Sequence, residues 1–173
     1  MNSSLIVQGQ PNTCLAACVA MLRVHAGDLC TEHDVIRQWG RPDDRGYRLS
    51  QLDRDPRLMA IIGPLTDESI SSLQAAAAAQ PIIAVVWGGP WTVFTREYSP
   101  MIDAAFPSPI ATLSDNRADL LRMATPHHAI VLRYTDAGFV AFDPYHLPRN
   151  QPLNLSPEWL FAVAAGWFWQ LSP

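Results

Sequence analysis

The 173-residue sequence contains no run of Lys or Arg, and its formal net charge is −4 with an isoelectric point near 5.6. This charge balance argues against a nucleic-acid-binding surface. The N-terminus lacks a basic segment followed by an apolar one, so no signal peptide is predicted. The longest apolar run, 160–169, has about ten residues, which is well short of the roughly 20 needed to span a bilayer. No membrane partner is therefore expected.

The sequence is also poor in cysteine, with only three, and an odd number without a signal peptide is typical of reduced thiols. We therefore expect the protein to act in the cytoplasm. Cys14-x3-Cys18 followed by Cys30-x2-His33 allows a zinc-binding module as an alternative. That alternative leaves Gln8, His128 and Asp143 unexplained, so we predict no metal ligands.

No glycine-rich phosphate loop is present, because Gly88-Gly89-Pro90 has neither the spacing nor the lysine of such a loop. No cofactor is therefore predicted.

What the sequence does contain is a polar loop that runs into an apolar helix, QGQPNTCLAACVAML, with Cys14 at the junction. Asn12 or Thr13 is the predicted N-cap, which places the cysteine in the first helical turn. Free N–H groups and the positive end of the helix dipole favour a thiolate there. The side-chain amide of Gln8 and the backbone N–H of Cys14 would form a two-donor oxyanion hole. Gln10 is the alternative for that role, although its spacing is tight for a loop that must fold back.

A base for this nucleophile is predicted in the segment 127–145, which has two apolar, β-branched runs around Asp136-Ala137-Gly138. His128 begins the first strand of this hairpin and Asp143 ends the second, so the two side chains are expected to be neighbours. His127 is the alternative base, but adjacent strand residues point to opposite faces, so only one of the pair can meet Cys14. Cysteine, then histidine, then Asp or Asn is the order found in papain-like enzymes.

These residues, in this order, make the chain resemble the double-glycine (bacteriocin-processing) peptidase domains, a branch of the papain-like cysteine peptidases. The matching segments are Gln8 to Cys14 with Ala17, Val19 and Met21 behind it, PIIAVVW at 81–87, His128 before Ile130-Val131-Leu132, Asp143-Pro144, Glu158-Trp159-Leu160 and Gly166-Trp167. Thr13 and Leu15 stand where the family usually has Asp and Gly, and 88–126 is an additional stretch, predicted to be an insertion. Together the matches cover nearly the whole chain, which we expect to be a single domain over 1–173.

The resemblance implies an α+β, papain-like fold, in which an N-terminal helical half with the nucleophile helix packs on a C-terminal antiparallel sheet. It also implies a cysteine endopeptidase with Cys14, His128, Asp143 and Gln8 as catalytic residues, cutting after a Gly-Gly pair. The substrate would be a leader peptide, or a protein of a competing cell if the domain is an interbacterial toxin. In the second case an immunity protein is an expected partner. Transglutaminase- or deamidase-like acyl chemistry and a non-catalytic binding module are the remaining alternatives.

Patterns of apolar residues and helix signals predict the order of elements along the chain. Helices are expected at 13–26, 31–39, 50–53, 66–80, 115–123 and 157–163, strands at 82–87, in the 127–145 hairpin and at 167–171, an irregular loop at 88–112, and turns at 144–152. Five tryptophans are expected mostly in the core, although one or two could line the cleft: Trp87, Trp91, Trp159, Trp167 and Trp169. Cys18 is expected to pack in the core, and a role as redox partner of Cys14 is the alternative.

Overall fold

The structure is a computed structural model that describes residues 6–62, 65–97, 127–145 and 152–173. Its elements, in chain order, are α1 (Cys14–His25), α2 (Glu32–Trp39), α3 (Ser50–Arg54), β1 (Leu58–Ile62), α4 (Ile70–Ala79), β2 (Ile82–Trp87), α5 (Gly88–Glu97), β3 (His127–Thr135), β4 (Gly138–Phe142), β5 (Leu153–Leu155), α6 (Pro157–Val163) and β6 (Ala164–Leu171).

The strands form one six-stranded antiparallel sheet in the order β1-β6-β2-β3-β4-β5. The predicted mixture of helices with an antiparallel sheet is confirmed. The two central strands, β2 and β3, pair along their whole common length from Ile82↔Leu132 to Trp87↔His127. The end of β2 that carries Trp87 therefore lies beside the start of β3, where the two histidines are.

Successive side chains of the buried strands point to opposite faces of the sheet, so both faces are apolar. Helices cover both of them. Ile83 and Val85 of β2 pack with the apolar side chains of α1 and α2. Ile82, Ala84 and Val86 face the other way, into a core that includes residues of α4 and α6. The two cores thus meet the sheet at alternate positions of the same strand.

Helix α1 is the most deeply buried helix segment, with every residue from Leu15 to Arg23 buried. The small side chains of Ala16, Ala17 and Ala20 allow it to approach the sheet closely, and it packs against β3 and α2. A helix that is apolar on nearly all sides is expected in the interior of a domain. Cys14, the first residue of α1, is consequently held in a fixed position beside β3.

One charged network joins α1, α2 and the loop before β1. The guanidinium of Arg23 lies 2.8 Å from Oδ2 of Asp55, and both side chains are buried. Arg23 also donates to Oε1 of Gln38 at 2.9 Å, and the indole of Trp39 donates to Oδ2 of Asp55 at 3.1 Å. Removing one member of such a pair leaves an uncompensated charge in the interior, which is strongly destabilising.

Most predicted elements are confirmed within one or a few residues, including the 127–145 hairpin, whose turn places Gly138 at φ 104°. The prediction of an irregular loop at 88–112 is wrong for its first part, because Gly88–Glu97 is helical. Pro90 lies in the first turn of this helix, where its missing N–H removes no helical hydrogen bond. The predicted helix at 115–123, the rest of the 88–126 stretch and most of 144–152 lie outside the described residues.

Two strands were not predicted. Strand β1 is only five residues long, and its role is visible only in its pairing with β6, for example Leu58↔Leu171. Strand β5 has three residues and pairs with β4. Within the described parts of the chain, none of the helices combines the length and the apolar composition needed to cross a bilayer.

Candidate active site

Cys14 is the first residue of α1, as predicted, but the loop before it does not cap the helix with a side chain. Thr13 is the N-cap residue, yet its hydroxyl donates to the carbonyl of Gln10 at 2.7 Å and accepts nothing from the helix. Asn12 has a positive φ of 66°, and its side-chain amide donates to the carbonyl of Asp44 at 2.8 Å. The predicted side-chain cap is therefore wrong, because both polar side chains bond within the loops and not to the helix. The backbone N–H of Cys14 has no acceptor among the described residues.

His128 and Asp143 meet at the open end of the β3–β4 hairpin. His128 is the second residue of β3 and Asp143 follows the last residue of β4, and Nε2 of the imidazole lies 2.7 Å from Oδ1 of the carboxylate. The imidazole and the thiol of Cys14 are also close enough for each to shift the pKa of the other. Because Nε2 is occupied by Asp143, Nδ1 is the nitrogen left for the sulfur. The three side chains form a continuous chain of contacts from thiol to carboxylate.

The charges of this trio stabilise one another. Burial alone would raise the pKa of Cys14, but the hydrogen bond and positive charge of His128, with the Ala129 backbone N–H, bring it below its usual value. Burial alone would lower the pKa of His128, yet hydrogen bonds to Asp143 and Cys14 raise it to about 10. The pKa of Asp143 is lowered by His128, Trp91 and the Tyr145 backbone N–H, which outweigh burial. At pH values between the pKa of Cys14 and that of His128, a thiolate–imidazolium pair is thus favoured.

Asp143 is held by two donors besides His128. The indole Nε1–H of Trp91 donates to its Oδ2 at 2.7 Å, and the backbone N–H of Tyr145 donates to its Oδ1 at 2.8 Å. Trp91 is buried, as the sequence predicted, but its polar edge also serves the site. The sequence could not reveal this contact, since it depends on α5 following β2 without a loop and turning back over the hairpin end.

Gln8, the predicted oxyanion donor, lines the cleft that contains Cys14. Its backbone N–H donates to the carbonyl of Pro144 at 2.9 Å, which fixes the loop beside Asp143. Its side-chain Nε2 donates one hydrogen to the carbonyl of Gln10 at 3.1 Å, so a second hydrogen of that amide remains. Gln8 and Cys14 line the same cleft, whereas the exposed Gln10 does not. The structure thus places Gln8 and not Gln10 at the site.

His127, the alternative base, packs its ring between two tryptophans. Its ring packs against Trp87 at 4.6 Å between centroids and against Trp167 at 5.5 Å. Partial burial lowers the pKa of His127 below its usual value. Two adjacent histidines therefore have opposite shifts, and the one in contact with Cys14 is His128.

The cysteines of the zinc alternative are not assembled into a site. Cys18 is fully buried in the α1 core, and burial, together with the nearby Cys14 and Asp143, raises the pKa of its thiol well above the usual value. The thiol of Cys30 contacts the carbonyl of Thr31. Across the described ranges, no group of three or more His, Cys, Asp or Glu side chains is placed to hold a metal ion.

The trio opens into a cleft of about 610 Å³. Its lining includes Cys14, His128, Asp143 and Trp91, together with residues 45–49 of the loop before α3. This volume is within the usual range for sites that bind a small molecule or a short peptide segment.

No protein-family model matches the chain, and no curated protein matches its sequence.

Proposed function

We propose that the chain is a papain-like cysteine peptidase that cleaves a peptide bond through a covalent acyl-enzyme. The observation that carries this proposal is the continuous contact from the Cys14 thiol through His128 to the buried carboxylate of Asp143. A histidine in contact with a thiol and oriented by a third group is the arrangement that activates cysteine nucleophiles.

In the first half of the reaction, the thiolate of Cys14 attacks the carbonyl carbon of the scissile bond and a C–S bond forms. Negative charge develops on the carbonyl oxygen. The free backbone N–H of Cys14 and the remaining Nε2 hydrogen of Gln8 are the two donors available to it. His128⁺ then gives the Nδ1 proton to the amine nitrogen as the C–N bond breaks, and the amine product leaves.

In the second half, neutral His128 takes a proton from water, and the hydroxide oxygen attacks the thioester carbon. The C–S bond breaks and a carboxylate product is released, with the thiolate–imidazolium pair restored. Asp143 keeps the imidazole in the orientation that presents Nδ1 to the sulfur throughout.

The preference for a Gly-Gly pair before the scissile bond rests on the resemblance to double-glycine peptidases. Glycines have no side chains, so an extended segment that ends in them can enter a narrow cleft. Such an activity serves either the maturation of an exported peptide or an attack on a competing cell. In the second setting an immunity protein that covers the cleft is the expected partner.

The test is digestion of a library of short peptides that contain Gly-Gly pairs, by the wild type and by Cys14→Ala, followed by mass spectrometry of the products. We expect new peptide termini with the wild type only. Release of ammonia, or incorporation of an added primary amine without chain cleavage, would instead identify deamidase or transglutaminase chemistry at the same thiol. If the folded wild type yields neither cleaved peptides nor a deamidated or amine-linked product, the proposal is overturned.

A further inference from the structure

The cleft carries two arginines, although the chain as a whole is acidic. Arg45 and Arg48 both line it, whereas the formal net charge of the chain is −4. The lining includes one carboxylate, that of Asp143, and this group is already engaged with His128. Among the described ion pairs, neither of these two guanidinium groups therefore has a carboxylate partner.

Neither arginine is neutralised elsewhere. Among the described residues, the guanidinium groups of Arg45 and Arg48 make no ion pair and no side-chain hydrogen bond. Asp44 directly precedes Arg45 in the chain, and Asp43 uses Oδ1 to accept from the backbone N–H of Arg45 at 2.8 Å. That contact shapes the turn and leaves the side chain of Arg45 free.

The loop that carries these arginines is fixed against the nucleophile loop. Gly46 has φ +91°, and a Cβ at this position would lie 3.1 Å from the carbonyl oxygen of Asn12, so only glycine fits without displacement. Asn12 in turn donates to the carbonyl of Asp44. Tyr47 packs edge-on against Trp39 at 5.3 Å and donates to the carbonyl of Gly40 at 2.6 Å. The backbone that carries the arginines therefore keeps a defined position relative to the loop before Cys14.

We propose that Arg45 and Arg48 select peptides that carry a carboxylate close to the scissile bond, which is to say acidic substrates. This inference rests on the proposed function and names its substrate class. Guanidinium groups bind carboxylates through paired, charge-assisted hydrogen bonds. A positive cleft in an acidic protein also concentrates anionic ligands locally.

The carboxylate could come from an Asp or Glu side chain or from the free C-terminus of a peptide. The first test separates these sources with Gly-Gly peptides in which Glu is moved through the positions flanking the pair. Each peptide has a Gln counterpart, and each is made with a free and with an amidated C-terminus. We expect at least one Glu position to raise kcat/KM about tenfold over Gln, with the amide making little difference. If amidation alone abolishes cleavage, the recognised group is the C-terminus.

The variants are Arg45→Gln, Arg48→Gln and the double variant that combines them. Arg54→Gln is the matched control. Arg54 is an exposed arginine of α3 that does not line the cleft, and its replacement changes net charge equally. We expect the Glu-to-Gln rate ratio to fall towards one in the cleft variants and to stay at the wild-type value in Arg54→Gln. Equal rates for Glu and Gln peptides with wild type would overturn the inference while leaving the peptidase proposal intact.

A second measurement does not require peptidase activity. The alkylation rates of Cys14 by anionic iodoacetate and neutral iodoacetamide are compared, and their ratio reports the charge felt by a small carboxylate in the cleft. We expect the double variant to lower this ratio roughly threefold or more at low salt, and Arg54→Gln to leave it unchanged. If no peptide is cleaved but the ratio falls, the proposed function fails and the anion preference stands. An unchanged ratio contradicts the anion preference.

Discussion

The indole of Trp91 and the imidazole of His128 bind opposite oxygens of one carboxylate. Trp91 donates to Oδ2 of Asp143 at 2.7 Å, and Nε2 of His128 lies 2.7 Å from Oδ1. The carboxylate is thereby fixed at both ends in a site where it is almost entirely buried. We infer that Trp91 positions the proposed catalytic pair, because it contacts His128 through Asp143.

Trp91→Phe keeps an aromatic ring but removes the indole N–H, so Oδ2 of Asp143 loses its hydrogen-bond donor. An unsatisfied buried acceptor costs about 1–3 kcal/mol, and we expect the free energy of unfolding to fall by that amount. The pKa of Asp143 should rise and that of His128 should fall, which weakens the thiolate–imidazolium pair. Urea denaturation and the pH profile of Cys14 alkylation measure the two effects.

Trp87→Phe is the matched control, since the ring of Trp87 packs against His127, whereas the indole donor to Asp143 is that of Trp91. A loss of stability in Trp91→Phe without any change in the pH profile would limit Trp91 to a structural role.

The two adjacent histidines should titrate far apart. The pKa of His127 is lowered from 6.5 by burial, whereas that of His128 is raised to about 10 by Asp143 and Cys14. In NMR spectra of ¹⁵N-histidine-labelled protein, we expect His128 to remain an imidazolium through pH 8 and His127 to lose its proton below pH 6.5. Asp143→Asn removes the carboxylate charge and should move only the His128 transition to lower pH. Two transitions near 6.5 would contradict the buried ion pair.

Gln8→Ala separates oxyanion stabilisation from nucleophile activation. Loss of one oxyanion donor typically lowers kcat about 10²- to 10³-fold. Alkylation of Cys14 by iodoacetamide forms no oxyanion at a carbonyl, so its rate should not change. Gln10→Ala should preserve both rates, because Gln10 contributes only its backbone carbonyl. Slower alkylation in Gln8→Ala would show that the residue supports the loop and not the transition state.

The Arg23–Asp55 pair is predicted to be a large contributor to stability. Arg23→Leu leaves the buried carboxylate of Asp55 without its cation, and such losses cost about 3–5 kcal/mol. Adding Asp55→Leu should recover part of the loss, since no buried charge then remains unpaired. Chemical denaturation of the two variants gives the comparison.

Arg37→Ala is the control for this prediction, because it removes a surface partner of Asp34 and should change stability little. Equal effects of Arg23→Leu and Arg37→Ala would contradict the proposed importance of the buried network.

The sequence predicted the parts of the site that are tied to strong local patterns. Cys14 opens a helix whose apolar residues mark it as buried, and the Asp136–Gly138 turn brings His128 and Asp143 to one end of a hairpin. Strand alternation separates His127 from His128 without knowledge of the fold. These relationships are encoded within short segments, which is why they could be predicted.

The contacts that were not predicted depend on tertiary packing. Trp91 reaches Asp143 only because α5 follows β2 directly and crosses the hairpin end. Arg45 and Arg48 look like ordinary surface residues in a polar loop, and their place in the cleft follows from the contact between Gly46 and Asn12. Strand β1 acquires its identity from pairing with β6, which is distant in sequence.

The most direct test of the central claim is the rate of iodoacetamide alkylation at each cysteine between pH 5 and 9, resolved by mass spectrometry, in the wild type and in His128→Gln. Cys14 should be labelled faster than the half-buried Cys30 already below pH 7, the buried Cys18 should remain unlabelled, and the Cys14 advantage should disappear in His128→Gln. If Cys14 reacts no faster than Cys30 in the folded wild type, no thiolate–imidazolium pair exists and the peptidase account fails.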